Sequence, residues 1–321
     1  MSDLEINPPS DWTQPMYAAP PRIEADVFAR IPDEYWRHGE TTEWAQVQLH
    51  GAPAPVFLEG PAFDAAGNLW VTDIPWGRLF RIAPDGAVTL GGQYNGQPNG
   101  QKFLADGRLL IADHDRGMML FDPATGEAEP WFERYQLEAF HGCNDLTIAK
   151  NGDIYFTDQG QSGWQSPHGR LFRVRRGSGQ LELLLDGIPS PNGLVLNDAE
   201  NALLLAVTRA NAIWRVGLHA DGSVGKVGTF IQMSGGNGPD GLAMDEDGNL
   251  VVCHVGLGAV WLFSARGEPM LRIDAPEGVH TTNVAYGGPE GKTLFITESG
   301  TGTVLKAEMP VRGRDVLTTT I

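Results

Sequence analysis

Long apolar runs are missing from this chain. No stretch of about eighteen consecutive apolar residues occurs, so nothing reads as a membrane-spanning helix. Cysteine is scarce: Cys143 and Cys253 stand alone among 321 residues. Two cysteines so far apart make no disulfide framework, and two free thiols in a reducing cytoplasm are expected. Basic residues are outnumbered, 23 against 40 acidic, for a net charge of -17. Phosphate backbones and anionic lipid repel such a surface, which argues against nucleic-acid and membrane partners. The opening "MSDLEINPPSDWTQP" has no basic segment followed by an apolar core, so no secretory signal and a cytoplasmic location are expected. The Gly-x-Ser-x-Gly elbow of serine hydrolases is absent. The glycines of "HVGLGAV" and "GTGTV" belong to loops, with no strand–helix–strand context for a dinucleotide or phosphate loop.

What the chain does have is 41 Gly and 22 Pro spread along its length and 41% hydrophobic residues. That composition suits a large core with many turns and few long helices. It also has a repeat. "EGPAFDAAGNLWVTD" begins at Glu59, "NGQKFLADGRLLIAD" at Asn99 and "NDLTIAKNGDIYFTD" at Asn144. "NGLVLNDAENALLLAVT" begins at Asn192, "DGLAMDEDGNLVVCH" at Asp240 and "NVAYGGPEGKTLFITE" at Asn283. Each copy is a polar residue, a short strand, a tight turn and an apolar strand ending in a polar residue. A third strand follows, as in "GRLFRIAPDG" and "GAVWLFSARG", and in several copies a fourth, as in "LELLLDGI".

A repeat of roughly 40–50 residues built from four antiparallel strands is one blade of a β-propeller. The sequence therefore predicts an all-β, six-bladed propeller with a short N-terminal extension. The last copy ends one strand short, near Met309. The alternation in "WAQVQLHGAPAPVF" predicts that residues 44–58 supply the missing outer strand, so that the propeller spans 44–321. Residues 1–43 are read as a cap, with a short helix around "PRIEADVFARIPDEYW".

The innermost strand of each blade lines the central channel, so Glu59, Asn99, Asn144, Asn192, Asp240 and Asn283 are expected as one ring at one mouth. Two carboxylates and four carboxamides are hard oxygen donors that suit Ca²⁺ or Mg²⁺. A cation there also explains why Glu59 is tolerated among apolar neighbours. Turn-forming Asn and Asp at strand starts would account for any one of the six, but less well for all of them. "DEDGN" at 245–249 has an EF-hand look without the further donors, and reads as a hairpin turn. His114, His141, His254 and His280 fall near the expected mouth, where a loop histidine satisfied by its neighbours is the plain reading of each.

Glu in "EGPAFD", Asn in "HGCNDLTIAKNGDIYFTD", Asn in "PNGLVLN" and Asp in "GPDGLAMDEDGNL" together resemble the gluconolactonase family. That family includes senescence marker protein and luciferin-regenerating enzyme, and more distantly diisopropylfluorophosphatase. The resemblance covers about residues 55–309. It implies one divalent cation, Ca²⁺ ahead of Mg²⁺, Mn²⁺ or Zn²⁺, on Glu59, Asn144, Asn192 and Asp240, and hydrolysis of lactones or related esters. Sugar-lactone members carry Arg two residues before the third-blade Asn, where this chain has Gly142. A second calcium of the phosphatase-like members needs an acid where this chain has Ala243.

On that basis Asp240 is the candidate general base, with His141 or His254 as secondary candidates for proton transfer. Asn99, Asn144 and Asn283 are candidates for holding substrate. The loops after the second strands should form the rim, bringing Trp76, His114, Trp164 and Arg209 to the substrate. The longest of them, "QGQSGWQSPHG", is the candidate specificity loop. The expected partner is a small lactone or ester. A phosphotriesterase-type hydrolase on the same metal, or a non-catalytic binding propeller, is the alternative.

Overall fold

A computed structural model describes residues 19–315 and 317–321. Six of its sheets, each with an antiparallel four-stranded core, stand around a closed ring, in which each innermost strand packs on the next and the sixth packs on the first. The innermost strands are Leu58–Phe63, Pro98–Phe103, Cys143–Ile148, Pro191–Leu196, Gly238–Met244 and Thr281–Gly287. The six-bladed propeller expected from the repeat is the architecture observed.

Local chemistry makes each hairpin. In the first blade Asp64 Oδ1 accepts the N–H groups of Ala66 and Asn68, and in the fifth Asp245 Oδ1 accepts those of Asp247 and Asn249. An Asp that bonds the backbone two and four residues on closes a tight turn without help from the rest of the fold. "DEDGN" is thus the hairpin turn its sequence suggested.

Apolar residues of the strands meet between blades, and a separate cluster fills each of the six seams. Between the second and third blades, fully buried Phe156 and Phe172 stack at 5.2 Å between centroids. Each such side chain contributes roughly 1.5–3 kcal/mol by leaving water. Cys143 and Cys253 are unbonded and buried in these seams. Among the described residues no helix is long and apolar enough to cross a membrane.

The ring closes differently from the sequence expectation. Residues 44–58 supply no strand to the sixth blade. Instead Glu43–Gln48 is a short helix, because Thr42 caps it by accepting Ala45 N–H and because Trp44 and Ala45 are the side chains it buries. The alternation of Val47, Gln48 and Leu49 is too short to outweigh that cap. The missing outer strand is Asp26–Arg30, within the stretch expected to be helical, and it pairs antiparallel with Thr303–Glu308. Phe28 explains the preference, since its ring meets Phe295 edge-on at 5.0 Å across the sixth blade. Arg22–Glu24 adds a fifth, parallel strand to the fifth blade. The first eighteen residues of the expected cap lie outside the described residues.

Candidate active site at the channel mouth

Every innermost strand carries a bulge at the same place, one or two residues after it starts to pair with its neighbour. A bulge re-aims the side chains beside it. Matching the paired residues Leu58, Pro98, Cys143, Pro191, Pro239 and Thr281 across blades puts Glu59, Asn99, Asn144, Asn192, Asp240 and Thr282 at equivalent positions. The sixth ring member is therefore Thr282. Its hydroxyl bonds Leu58 O at 2.9 Å and ties the last blade to the first. Asn283, expected in the ring, sits one residue further in and reaches the channel from there.

That deeper position is decisive. It is glycine in four blades (Gly60, Gly100, Gly193 and Gly241), Asp145 in the third and Asn283 in the sixth. The two side chains come from opposite blades and meet in the channel. Asn283 Nδ2 donates to Glu59 Oε2 at 2.8 Å and lies 3.3 Å from Asp145 Oδ2. The neighbouring glycines make the space: a Cβ on Gly100 would overlap Asp145 Oδ1, and one on Gly241 would overlap Asn283 Oδ1.

Three buried carboxylates, those of Glu59, Asp145 and Asp240, therefore share one mouth. Loss of water raises all three pKa values, and repulsion from neighbouring carboxylates adds to it at Glu59 and Asp240. The Glu59 carboxyl is pushed up to about 8 by burial and by Asp145, against the pull of Gly60 N–H, Asn283 and Lys102. Burial, then Glu59 and Asp145, hold Asp240 well above the usual carboxylate range, while Asn192 and Arg209 pull it down. Burial raises Asp145 as well, opposed by Lys102.

Around these acids the carboxamides are oriented. Asn144 Nδ2 donates to Gln159 Oε1 at 3.0 Å, and Gln159 Nε2 donates to Ser190 Oγ at 2.8 Å. Asn192 Nδ2 donates to Thr208 Oγ1 at 3.2 Å. The Oδ1 atoms of Asn99 and Asn192 are buried with no partner among the described residues. Among the described residues no group of three His, Cys, Asp or Glu side chains could hold a metal unaided, so a cation would have to draw on the amide oxygens. Clustered carboxylates with partnerless amide oxygens are the donors a hard divalent cation takes, and the residues present fit one.

The rim is tied down by a repeated device. Carboxylates at the ends of the second strands accept the backbone N–H ahead of the innermost strand. Asp73 takes Phe57 N, Asp113 takes Gln97 N, Asp158 takes Gly142 N and Glu298 takes His280 N, all at 2.7–2.9 Å. Arg170 lies against Asp158 with Nε–Oδ2 at 2.8 Å and also bonds Glu138.

The other expected site residues are less uniform. Arg209 is exposed on the rim and near enough to lower the Asp240 pKa. Trp76 donates Nε1–H to Ala54 O at 2.9 Å and so anchors the segment before the first blade. His114 Nε2 lies 2.7 Å from Nε2 of Gln48, the last residue of the helix, and its ring covers Gly142, where any Cβ would overlap it. Burial pushes the His114 imidazole down to about 4. His254 is buried with Nε2 3.0 Å from Gly235 O, holding a loop. His141 faces an outer cleft of about 770 Å³ with His168 and Asp186. Trp164 is 66% exposed.

Asp145, Gln159 and Gln48 escaped the sequence reading. For Asp145 a signal existed, because "CND" breaks the polar-Gly pair seen in "EGP", "PNG" and "PDG".

Comparison with known proteins agrees with this fold. Residues 57–300 match the SMP-30/Gluconolactonase/LRE-like region. A gluconolactonase of Zymomonas mobilis is 30% identical over 274 residues, 75% of this chain and 76% of that protein. Lactonase drp35 of Staphylococcus haemolyticus is 30% identical over 251 residues, 75% of this chain and 73% of that protein. The fold is shared with regucalcin, a calcium-binding protein of Agrobacterium tumefaciens (TM-score 0.74, 23% identity, 95% of this chain and 100% of that one). The chain belongs to the SMP-30/gluconolactonase/LRE-like family.

Proposed function

We propose that this protein hydrolyses lactones or related cyclic esters with a divalent cation, Ca²⁺ first, held by Glu59, Asn144, Asn192 and Asp240. The observation that carries the reading is the meeting of three buried carboxylates with partnerless amide oxygens at one channel mouth. Family membership supports the reaction class, since relatives at 30% identity are named gluconolactonase and lactonase. The calcium-binding description of the Agrobacterium protein of the same fold supports the choice of ion.

When bound, the cation polarises the ester carbonyl and lowers the pKa of water. This chain's residues do the rest. Asn283 and Gly60 N–H fix the Glu59 carboxylate, and Gln159 fixes Asn144, so the ligands are set before substrate arrives. Asp240 takes a proton from the attacking water and returns it to the alkoxide released when the ring C–O bond breaks, giving a hydroxy acid. Arg209 beside it favours the ionised form that can act as base. Asn99, through its partnerless oxygen, accepts a substrate hydroxyl or water. Nε2 of His254 lies on Gly235 O and Nε2 of His141 lies 3.6 Å from Glu138 Oε1, which favours Asp240 over either histidine as the proton-transfer group. Trp164, on the long third-blade loop, is free to cover a bound substrate.

The test is a panel of γ- and δ-lactones, open-chain esters and phosphotriesters, each assayed with and without chelator. Lactone turnover that chelator abolishes and added Ca²⁺ restores is expected. Turnover indifferent to chelator, or confined to phosphotriesters, contradicts the proposal. Absence of turnover throughout the panel favours a binding protein instead.

A further inference from the structure

The innermost strands end at the opposite mouth on apolar residues, Phe63, Phe103, Ile148 and Met244 among them. The C-terminal segment crosses beneath them. Arg314 N–H donates to Met244 O at 3.0 Å and Arg314 Nη2 to Leu196 O at 2.6 Å. Beyond it, Thr319 O accepts Ala105 N–H at 3.1 Å, and Thr319 Oγ1 bonds Gly152 O at 3.2 Å. Residues 314–315 and 317–319 of the segment thus touch the fifth, fourth, third and second blades and roof a cavity of about 470 Å³. That volume lies within the roughly 300–1,000 Å³ of small-molecule sites.

The walls of this cavity are mostly apolar, yet three donors line it without a protein acceptor. The Tyr286 hydroxyl and Arg314 Nη1 are buried and have no hydrogen-bond partner among the described residues. Lys102 lines the same space and joins no ion pair among the described residues. The two acids that line the cavity are bonded to other residues. Asp64 is held by Asn68 and Trp70, and Asp315 by Arg312. In a chain of net charge -17, Arg314 and Lys102 face one mostly apolar cavity and neither forms an ion pair among the described residues; Asp145 and Glu59 act on Lys102, and Asp198 and Glu200 on Arg314, only at longer range. Buried donors left in this state are destabilising until something accepts from them.

We propose that the lower cavity is a second ligand site, for a small amphipathic anion: an aliphatic carboxylate of medium chain length. Its carboxylate is taken by Arg314, Tyr286 and Lys102 and its chain by the apolar strand ends. This inference is independent of the reaction proposed at the upper mouth.

Calorimetric titration of the full chain with sodium decanoate tests it, with decan-1-ol and acetate as probes lacking the charge and the chain. One decanoate per chain is expected, with both control probes at least about tenfold weaker. Arg314→Gln should weaken decanoate about tenfold and Tyr286→Phe about threefold, with lactone hydrolysis unchanged in both. Tyr286→Phe removes only an oxygen and leaves the tail seated, so it decides the matter if Arg314→Gln unfolds. Glu59→Gln should bind decanoate as the parent does. No saturable binding, unchanged affinity in Tyr286→Phe, or binding lost in Glu59→Gln (which would put decanoate at the upper mouth) overturns the proposal.

Discussion

The two mouths of the channel are built from the same six strands and have opposite chemistry. At the upper mouth the strands begin with Glu59, Asn99, Asn144, Asn192 and Asp240, and the deeper Asp145 and Asn283 cross between opposite blades. At the lower mouth, a few residues along, they end in Phe63, Phe103, Ile148 and Met244. The bulge in each strand separates the two characters. The lesson is about division of labour. Packing between blades supplies stability, so the upper mouth can gather three like charges whose raised pKa values mark a local cost. Substitutions at the upper mouth should therefore cost chemistry first, and substitutions that loosen its supports should cost stability.

The largest effect is expected at Asp240. Asp240→Asn removes the proposed base, and lactone turnover at saturating Ca²⁺ should fall about a thousandfold. Recovery of turnover by added Ca²⁺ would reduce Asp240 to a ligand. Asp158→Ala attacks a support instead. It leaves the buried Arg170 guanidinium with only the exposed Glu138 carboxylate and Gly142 N–H without its acceptor, and denaturant unfolding should show a loss of about 3 kcal/mol. A loss under 1 kcal/mol would mean that the rim holds itself without that ion pair.

Smaller effects sharpen the contrast. Gly100→Ala puts a methyl where Asp145 stands. It should destabilise by about 1–3 kcal/mol and lower turnover as well, because Asp145 is displaced. Unaltered turnover would remove Asp145 from the working site. His114 provides the smallest effect and a pH signature. Its imidazole is held down to about 4, against about 6.5 in an unfolded chain. Between those values the unfolded state binds more protons, so stability is full above pH 6.5 and is lost as pH falls towards 4. Between pH 7 and pH 5 the parent should lose about 1 kcal/mol more than His114→Asn, a figure reduced for the partly exposed ring. Equal losses would show that the ring is protonated in the fold.

Much of the fold was legible because a repeat multiplies weak signals. A single "DGN" turn says little, whereas six copies fix blade length and the place of five of the six ring residues. The reading slipped where the repeat is imperfect. The sixth copy was aligned on Asn283, although the strand pairing matches Thr282 to the ring. Asn is the more familiar polar residue at such a place, and only pairing with Glu298 fixes the register. Asp145 was passed over because its neighbour Asn144 satisfied the pattern. The closing strand failed for another reason. Asp26–Arg30 has no copy elsewhere in the chain, and its strand form depends on the free edge of Thr303–Glu308, some 270 residues away. Local alternation could not reveal that.

The central claim is that the upper mouth holds a divalent cation through Glu59. Calcium titration of the parent and of Glu59→Gln by calorimetry at pH 8 tests it most directly. Glu59→Gln keeps the size of the side chain and removes one charge, so Ca²⁺ affinity should drop at least about tenfold, or about 1.4 kcal/mol. Excess Ca²⁺ should then restore part of the lactone turnover. Equal affinity in the two proteins, or no calcium binding by the parent, would contradict the account.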